Sequence, residues 1–181
     1  MKLVILDRDG VINEDSDEFI KAPEEWNPIP GSLEAISRLN HAGYNVAVAS
    51  NQSGLARGLF DVFTLNAIHH KMHKMLAKKG GHVDAVFYCP HGPDADCNCR
   101  KPKPGLYLEI GKRYGMNMRN VPVIGDSKRD LDAALSIDAK PILVRTGKGI
   151  NTERDLPVGT NIPVYDNLEM AVEALVNEEF G

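Results

Sequence analysis

Lys2-Leu3-Val4-Ile5-Leu6-Asp7-Arg8-Asp9-Gly10 is the stretch that decides how the chain is read. A short apolar run rich in branched residues predicts a buried strand that ends near Leu6. Two carboxylates then stand at its carboxyl edge, which is where ligands bind in open α/β sheets. Side chains along an extended segment alternate with a period of two, so Asp7 and Asp9 leave toward the same side. Such a pair can hold one hard cation while one member stays free to attack.

Further apolar runs follow at 46–49, 83–88, 121–124 and 141–144. Helical patterns lie between them at Ser32–His41, Asp61–Lys79, Pro104–Tyr114 and Lys128–Ile137, with a last helix over Asn167–Val176. Strands alternating with helices predict βαβ units, a parallel sheet and helices on both faces. Two polar segments interrupt the alternation, Asn13 to Pro30 and Cys89 to Lys103, and insertions of this kind at a sheet edge often carry specificity. No boundary divides the chain, so one domain over residues 1–181 is expected.

Composition narrows the function. Hydrophobic residues at 43% and charged residues at 25% describe an ordinary globular protein. A net charge of -4 argues against a nucleic-acid surface, while leaving room for a local cluster of cations around a small phosphorylated molecule. No apolar run reaches the roughly 18 residues of a membrane span. The amino terminus lacks the layout of a signal peptide, which places the protein in the cytoplasm. A monomer with no membrane partner is expected.

Four segments at strand ends converge on phosphoryl transfer. They are Asp7/Asp9, Ser50-Asn51-Gln52-Ser53-Gly54, Arg100-Lys101-Pro102-Lys103-Pro104 and Gly125-Asp126-Ser127-Lys128-Arg129-Asp130. A phosphate dianion repels a carboxylate nucleophile, so a divalent cation has to lie between them. Asp7 and Asp126 can ligate Mg²⁺ through oxygen. Lys101 and the Ser50 hydroxyl can neutralise the equatorial oxygens, and Asp9 can protonate the leaving oxygen and later activate water. Asp130 can favour the dipole of the following helix, support the site from behind, or ligate the metal.

Cys89, His91, Cys97 and Cys99 supply three thiols and one imidazole within eleven positions. That set suits tetrahedral Zn²⁺ with no open position, hence a structural site. Arg100 and Lys101 follow at once, so a metal clamp there would aim both cations. Arg100 can read a second phosphate or a hydroxyl cluster bidentately.

In this order the motifs resemble those of the haloacid-dehalogenase phosphatases. The resemblance implies a Rossmann-like fold without a large cap domain, an aspartyl-phosphate on Asp7, Asp9 as general acid/base with its carbonyl on Mg²⁺, and Asp126 as a further metal ligand. Ser50 and Lys101 would stabilise phosphate. Together with Asn51-Gln52-Ser53-Gly54-Leu55-Ala56-Arg57-Gly58, the Cys-Pro-His…Cys-x-Cys-Arg-Lys-Pro insertion and Arg145-Thr146-Gly147-Lys148, they resemble the D-glycero-D-manno-heptose-1,7-bisphosphate 7-phosphatases of nucleotide-heptose and lipopolysaccharide biosynthesis. That family implies a sugar bisphosphate substrate contacted by Asp15, Ser16, Asp17, Glu18, Asn51, Gln52, Ser53 and Arg100. Histidinol-phosphate phosphatases share the fold and the zinc loop. A polynucleotide phosphatase would fit the same fold but calls for a basic stripe that this chain lacks. A non-enzymatic zinc module would leave the aspartates without a task.

Other features call for plainer readings. His69, His70 and His73 lie on the helix over Asp61–Lys79, whose apolar stripe is Leu65, Ile68, Met72 and Leu76. His69 and His73 are read as falling off it onto a solvated face. Gly147-Lys148-Gly149 is too short for a nucleotide P-loop and is expected near the site entrance. Trp26, the single tryptophan, is expected to anchor its loop.

Overall fold

The computed structural model describes residues 1–180. Among the described residues six strands form one sheet. They are β1 (Lys2–Leu6), β2 (Tyr44–Asn51), β3 (Ala85–Cys89), β4 (Pro122–Gly125), β5 (Lys140–Val144) and β6 (Val164–Tyr165). Their spatial order is β3-β2-β1-β4-β5-β6, and every neighbouring pair is parallel. Among the described residues six α-helices connect or follow them, α1 (Ser32–His41), α2 (Val62–Lys78), α3 (Gly105–Tyr114), α4 (Lys128–Leu135), α5 (Gly149–Arg154) and α6 (Leu168–Phe180).

Strand alternation sorts the core into two faces. Val4, Leu6, Val46, Val48, Ile124 and Val144 pack against Ile36 and Leu39 of α1, Ile68 and Met72 of α2, and Val172 of α6. Leu3, Ile5, Ala47, Ala49 and Val123 face the other way, onto Leu106, Tyr107 and Ile110 of α3 and Ala133 and Ala134 of α4. The sheet is therefore covered on both sides, as an all-parallel sheet requires.

The helices start where the sequence offers caps. Asp61 accepts from the Thr64 amide at 2.8 Å at the start of α2. Ser127 and Asp130 form a reciprocal capping box at the start of α4. Gly115 ends α3 in the left-handed region at φ 62°, which a residue without Cβ adopts at little cost.

Strand order reverses between β1 and β4, and the crevice at their carboxyl ends is the place this topology makes for a ligand. The Asp7 amide donates to the Ile124 carbonyl at 3.0 Å, carrying the β1–β4 pairing one residue past the strand. The long loop after β1 is held down from beneath. Trp26 is fully buried, and Lys71 of α2 donates to the Pro23 and Trp26 carbonyls at 2.8 and 2.7 Å. Among the described residues no inserted domain covers the crevice.

Some details depart from the sequence reading. β2 runs on to Asn51, two residues past the apolar run at 46–49, so Ser50 and Asn51 are strand residues. β3 begins two residues later than expected and carries Cys89 at its end. α5 and β6 were not foreseen. His69 is buried, 7% exposed, not solvated. It stands four residues after Leu65 and three before Met72, which places it on the inner face of α2.

Candidate active site

Asp7 and Asp9 both border a cavity of about 290 Å³ at the switch point, and their environments differ. The Asp7 carboxylate accepts from its neighbour's amide at 2.8 Å and from Lys101 Nζ at 3.1 Å. Burial, followed by the negative charges of Asp130, Asp126 and Asp9, holds its carboxyl well above the usual range despite Lys101. Asp9 receives Arg8 Nε at 2.8 Å and Arg8 Nη2 at 3.1 Å. Asn13 adds a bond at 3.0 Å and Gln52 one at 3.3 Å. Burial alone would raise the Asp9 carboxyl, but the guanidinium and these donors outweigh it and keep Asp9 below the ordinary range.

Arg8 itself is fully buried. Its third arm, Nη1, lies 3.0 Å from His69 Nε2. A guanidinium only donates, so Nε2 is the acceptor and the imidazole is neutral there. Burial first, then the charges of Arg8 and His73, push His69 down to about 3.

Lys101 lines the same cavity and is 2% exposed. Its ammonium reaches Asp7 at 3.1 Å, Asp130 at 2.7 Å and the Ala49 carbonyl at 2.7 Å. Burial opposes its charge, but Asp130 and Asp7 raise it further, and Lys101 stays protonated. Ser50 Oγ, at the end of β2, accepts from Gln52 Nε2 at 2.7 Å. Gln52 thus turns beneath the site, bridging Ser50 and Asp9, and does not line the cavity.

Asp126 follows β4. Burial first, then Asp130, pushes its carboxyl up to about 7 against the Lys148 amide that donates to it at 2.8 Å. Carboxylate oxygens of Asp7, Asp126 and Asp130 all lie within 4.8 Å of one another. Three carboxylates, Asp126 and Asp130 buried and Asp7 half-buried, with one ammonium among them are electrostatically incomplete, and a divalent cation fits the donor set. Asp130 has its own tasks, since Oδ2 accepts from the Ser127 amide and hydroxyl at 3.1 and 3.0 Å while Oδ1 pairs with Lys101. Gly10 closes on this cluster with φ 86°, and a Cβ there would meet Asp126 Oδ2 at 2.1 Å. Only glycine suits that position.

The thiols converge as well. Cys89 Sγ lies 3.0 Å from Cys99 Sγ, 3.9 Å from Cys97 Sγ and 3.4 Å from His91 Nδ1, and His91 Nδ1 is 3.3 Å from Cys99 Sγ. Four soft or borderline donors close around one point, the arrangement Zn²⁺ accepts. Backbone amides, that of Arg100 foremost, draw the Cys97 thiol down to about 7. Burial and the Cys99 contact push Cys89 up to about 12.

The cavity walls also hold Asp15, Ser16, Asp17, Asn51, Ser53 and Arg100. Glu18 is exposed and does not line the cavity. Residues not foreseen as ligands are there instead, namely Phe19, Arg57, Arg129 and Lys148. Phe19 has φ 69°, a conformation that costs about 1–2 kcal/mol outside glycine. Its ring sits 5.5 Å from the Arg57 guanidinium. Lys148 Nζ pairs with Asp15 at 2.6 Å and ties the loop after β5 to the loop after β1. The sequence signal for Arg57 was its place between Gly54 and Gly58 in a turn after β2; for Arg129 it was the first turn of a helix opening at the switch point.

Comparison with known proteins agrees with this geometry. The model of the HAD-hydrolase-like family matches residues 98–171. A D-glycero-beta-D-manno-heptose-1,7-bisphosphate 7-phosphatase of Bordetella bronchiseptica is 56% identical, covering 98% of this chain and 99% of its own. One of Pseudomonas aeruginosa is 52% identical over 96% and 97%. A crystal structure of the B. bronchiseptica D,D-heptose 1,7-bisphosphate phosphatase, complexed with magnesium and phosphate, superposes with a TM-score of 0.94 over 98% of this chain and 99% of that one. The Burkholderia thailandensis enzyme, 44% identical over 97% of this chain and 99% of its own, gives 0.78. With such identity along its whole length, the chain belongs to the D-glycero-beta-D-manno-heptose-1,7-bisphosphate 7-phosphatases, a family of HAD-like hydrolases.

Proposed function

We propose that the protein hydrolyses the 7-phosphate of D-glycero-D-manno-heptose 1,7-bisphosphate in a Mg²⁺-dependent reaction, as a step in nucleotide-heptose synthesis. The observation that carries this reading is the convergence of Asp7, Asp9, Lys101 and Asp126 on one cavity at the switch point.

Asp7 attacks phosphorus and the sugar oxygen leaves, giving an aspartyl-phosphate. Asp9, ionised at rest in the grip of Arg8, acts in its protonated form: it gives its proton to that oxygen and then takes one from the water that cleaves the acyl phosphate, so Asp7 returns as the carboxylate and Asp9 as the acid. Lys101 and the Ser50 hydroxyl hold the equatorial phosphoryl oxygens as charge redistributes. Magnesium, held by Asp7, Asp126 and the Asp9 carbonyl, would supply the charge neutralisation that lets a dianion approach a carboxylate. Asp130 keeps Lys101 directed at Asp7.

The sugar and its remaining phosphate would occupy the outer cavity. Asp15, Ser16, Asp17, Asn51 and Ser53 offer hydrogen bonds to hydroxyls there. Arg100, with Arg57 and Arg129 beside it in the cavity wall, offers the positive charge that a second phosphate requires. Zn²⁺ on Cys89, His91, Cys97 and Cys99 would be structural, fixing the segment from which Arg100 and Lys101 project. One continuous sheet underlies the loops and helix ends that carry these residues, which supports a single catalytic domain.

The test is phosphate release with Mg²⁺ from both anomers of heptose 1,7-bisphosphate, from histidinol phosphate and from fructose 1,6-bisphosphate. A preference of about 100-fold in kcat/KM for one heptose anomer, roughly 2.7 kcal/mol in the transition state, is expected. Equal rates on all four would overturn the substrate assignment, and a preference for histidinol phosphate would transfer it.

A further inference from the structure

Asp9 is not held by the cavity wall alone. Arg8 grips it side-on through Nε and Nη2, and the Arg8 carbonyl accepts the Val11, Ile12 and Asn13 amides at 3.3, 2.9 and 3.3 Å, which fixes the residue's main chain. The guanidinium has one other arm in this plane, and that arm ends on His69 Nε2, 61 residues away on α2. Both partners are inside the protein, Arg8 at 0% and His69 at 7% exposure. Because the guanidinium is rigid and planar, the nitrogen that receives Nη1 also sets the plane in which Nε and Nη2 meet the Asp9 oxygens.

We propose that His69 is a positioning residue for catalysis, which through Arg8 orients the Asp9 carboxyl for proton transfer with the leaving oxygen. The inference rests on Asp9 being the general acid/base. His69 contacts neither the cavity nor the reacting atoms and acts only through the Arg8 fork. A residue on α2, on the helical layer behind the sheet, thereby reaches the site.

The experiment compares His69→Leu, His69→Gln and Asp9→Asn in the full-length, magnesium-loaded protein. Each is assayed on heptose 1,7-bisphosphate, whose alkoxide needs a proton to leave, and on p-nitrophenyl phosphate, whose phenolate does not. Thermal unfolding establishes that each variant is folded. General acid–base groups contribute about 10²–10⁴-fold, so loss of orientation in His69→Leu should lower kcat on the sugar phosphate by about tenfold or more. KM should stay within about twofold. The pre-steady-state burst of nitrophenolate, which reports attack by Asp7, should keep its rate within about twofold. His69→Gln, whose amide oxygen can accept from Arg8, should recover most of the lost kcat.

A folded His69→Leu protein with unchanged kcat would overturn the inference, as would an equal loss in the burst, which marks a general structural effect. If His69→Leu does not fold, His69→Asn takes its place, because its shorter side chain withdraws the acceptor from Arg8. Asp9→Asn separates the two layers. Full activity of Asp9→Asn on the sugar phosphate would overturn the general acid/base reading itself. Loss there, with His69→Leu unaffected, would overturn only the role of His69.

Discussion

Asn51 clasps the main chain of Lys101 from both sides. Its Nδ2 donates to the Lys101 carbonyl at 3.1 Å, and its Oδ1 accepts from the Lys101 amide at 3.0 Å. The last residue of β2 thus fixes the segment that carries the buried ammonium, fifty positions later. Asn51→Ala removes both bonds. At about 1 kcal/mol for each hydrogen bond, stability should fall by about 2 kcal/mol, read as a lower urea midpoint, and kcat should fall with it. Asn51→Asp, which keeps only the acceptor, should lie between.

Asp7→Asn should abolish turnover, by about 10³-fold or more, since an amide in place of the attacking carboxylate cannot take the phosphoryl group. The same change removes one of the crowded carboxylates that raise one another. The metal-free variant should therefore unfold at a temperature no lower than the wild type. Calorimetry in a chelator and a single-turnover assay with radiolabelled phosphate check the two halves separately.

The buried imidazole gives stability a pH dependence of known sign. An unfolded histidine titrates near 6.5, while His69, buried and next to Arg8 and His73, is held down to about 3. Between these values the unfolded chain binds the extra proton. Stability contributed by neutral His69 is therefore full above about 6.5 and drains away as pH falls toward about 3. Asp7 and Asp126, both raised, work in the opposite direction, so the difference between wild type and His69→Gln isolates the imidazole. That difference in Tm should shrink steadily from pH 7 to pH 4.5.

Zinc should be found at about one per chain, the stoichiometry of one closed four-ligand site. Stripping it should lower Tm and raise KM for a bisphosphate more than for a monophosphate, because Arg100 follows Cys99 directly and loses its anchor. Cys99→Ser should reproduce both effects, and elemental analysis together with kinetics on the two substrates would show it. Unchanged KM values in a zinc-free protein would sink the clamp.

Arg57→Ala and Arg129→Ala test the outer cavity. Either should weaken binding of a sugar bisphosphate by about 10- to 100-fold, with little change toward p-nitrophenyl phosphate. Charge-assisted contacts of this kind contribute about 1.5–3 kcal/mol each. Equal losses on both substrates would place these arginines at the reacting phosphate instead.

The strands that build the switch point were legible in sequence because each is an uninterrupted apolar run buried on both faces, Val4-Ile5-Leu6 and Val123-Ile124 above all. The carboxylates that line the candidate site could be read because they abut those runs. Other parts left weaker marks. β6 has two residues and α5 six, too few for a period to show. His69 was misread because a histidine on an apolar stripe looks polar until its partner is known, and that partner, Arg8, lies 61 positions away. Phe19 and Arg57 meet only through the path of two loops, and nothing in either segment announces the other. Glu18 was grouped with Asp15, Ser16 and Asp17 by adjacency, but the chain turns at Phe19 and carries it outward.

The order β3-β2-β1-β4-β5-β6 also has a consequence in time. Chains emerge from the ribosome amino end first. β1 and β2 can pair as soon as Asn51 has been made, and β3 extends that ribbon from its far side. The other margin of β1 must wait for Pro122–Gly125. Until then Asp7 and Asp9 stand at an open margin, with Asp126 and Asp130 not yet synthesised. No amino-terminal fragment ending before Asp130 can assemble the carboxylate cluster, so a nascent chain can gain its affinity for magnesium only after Asp130 has been added.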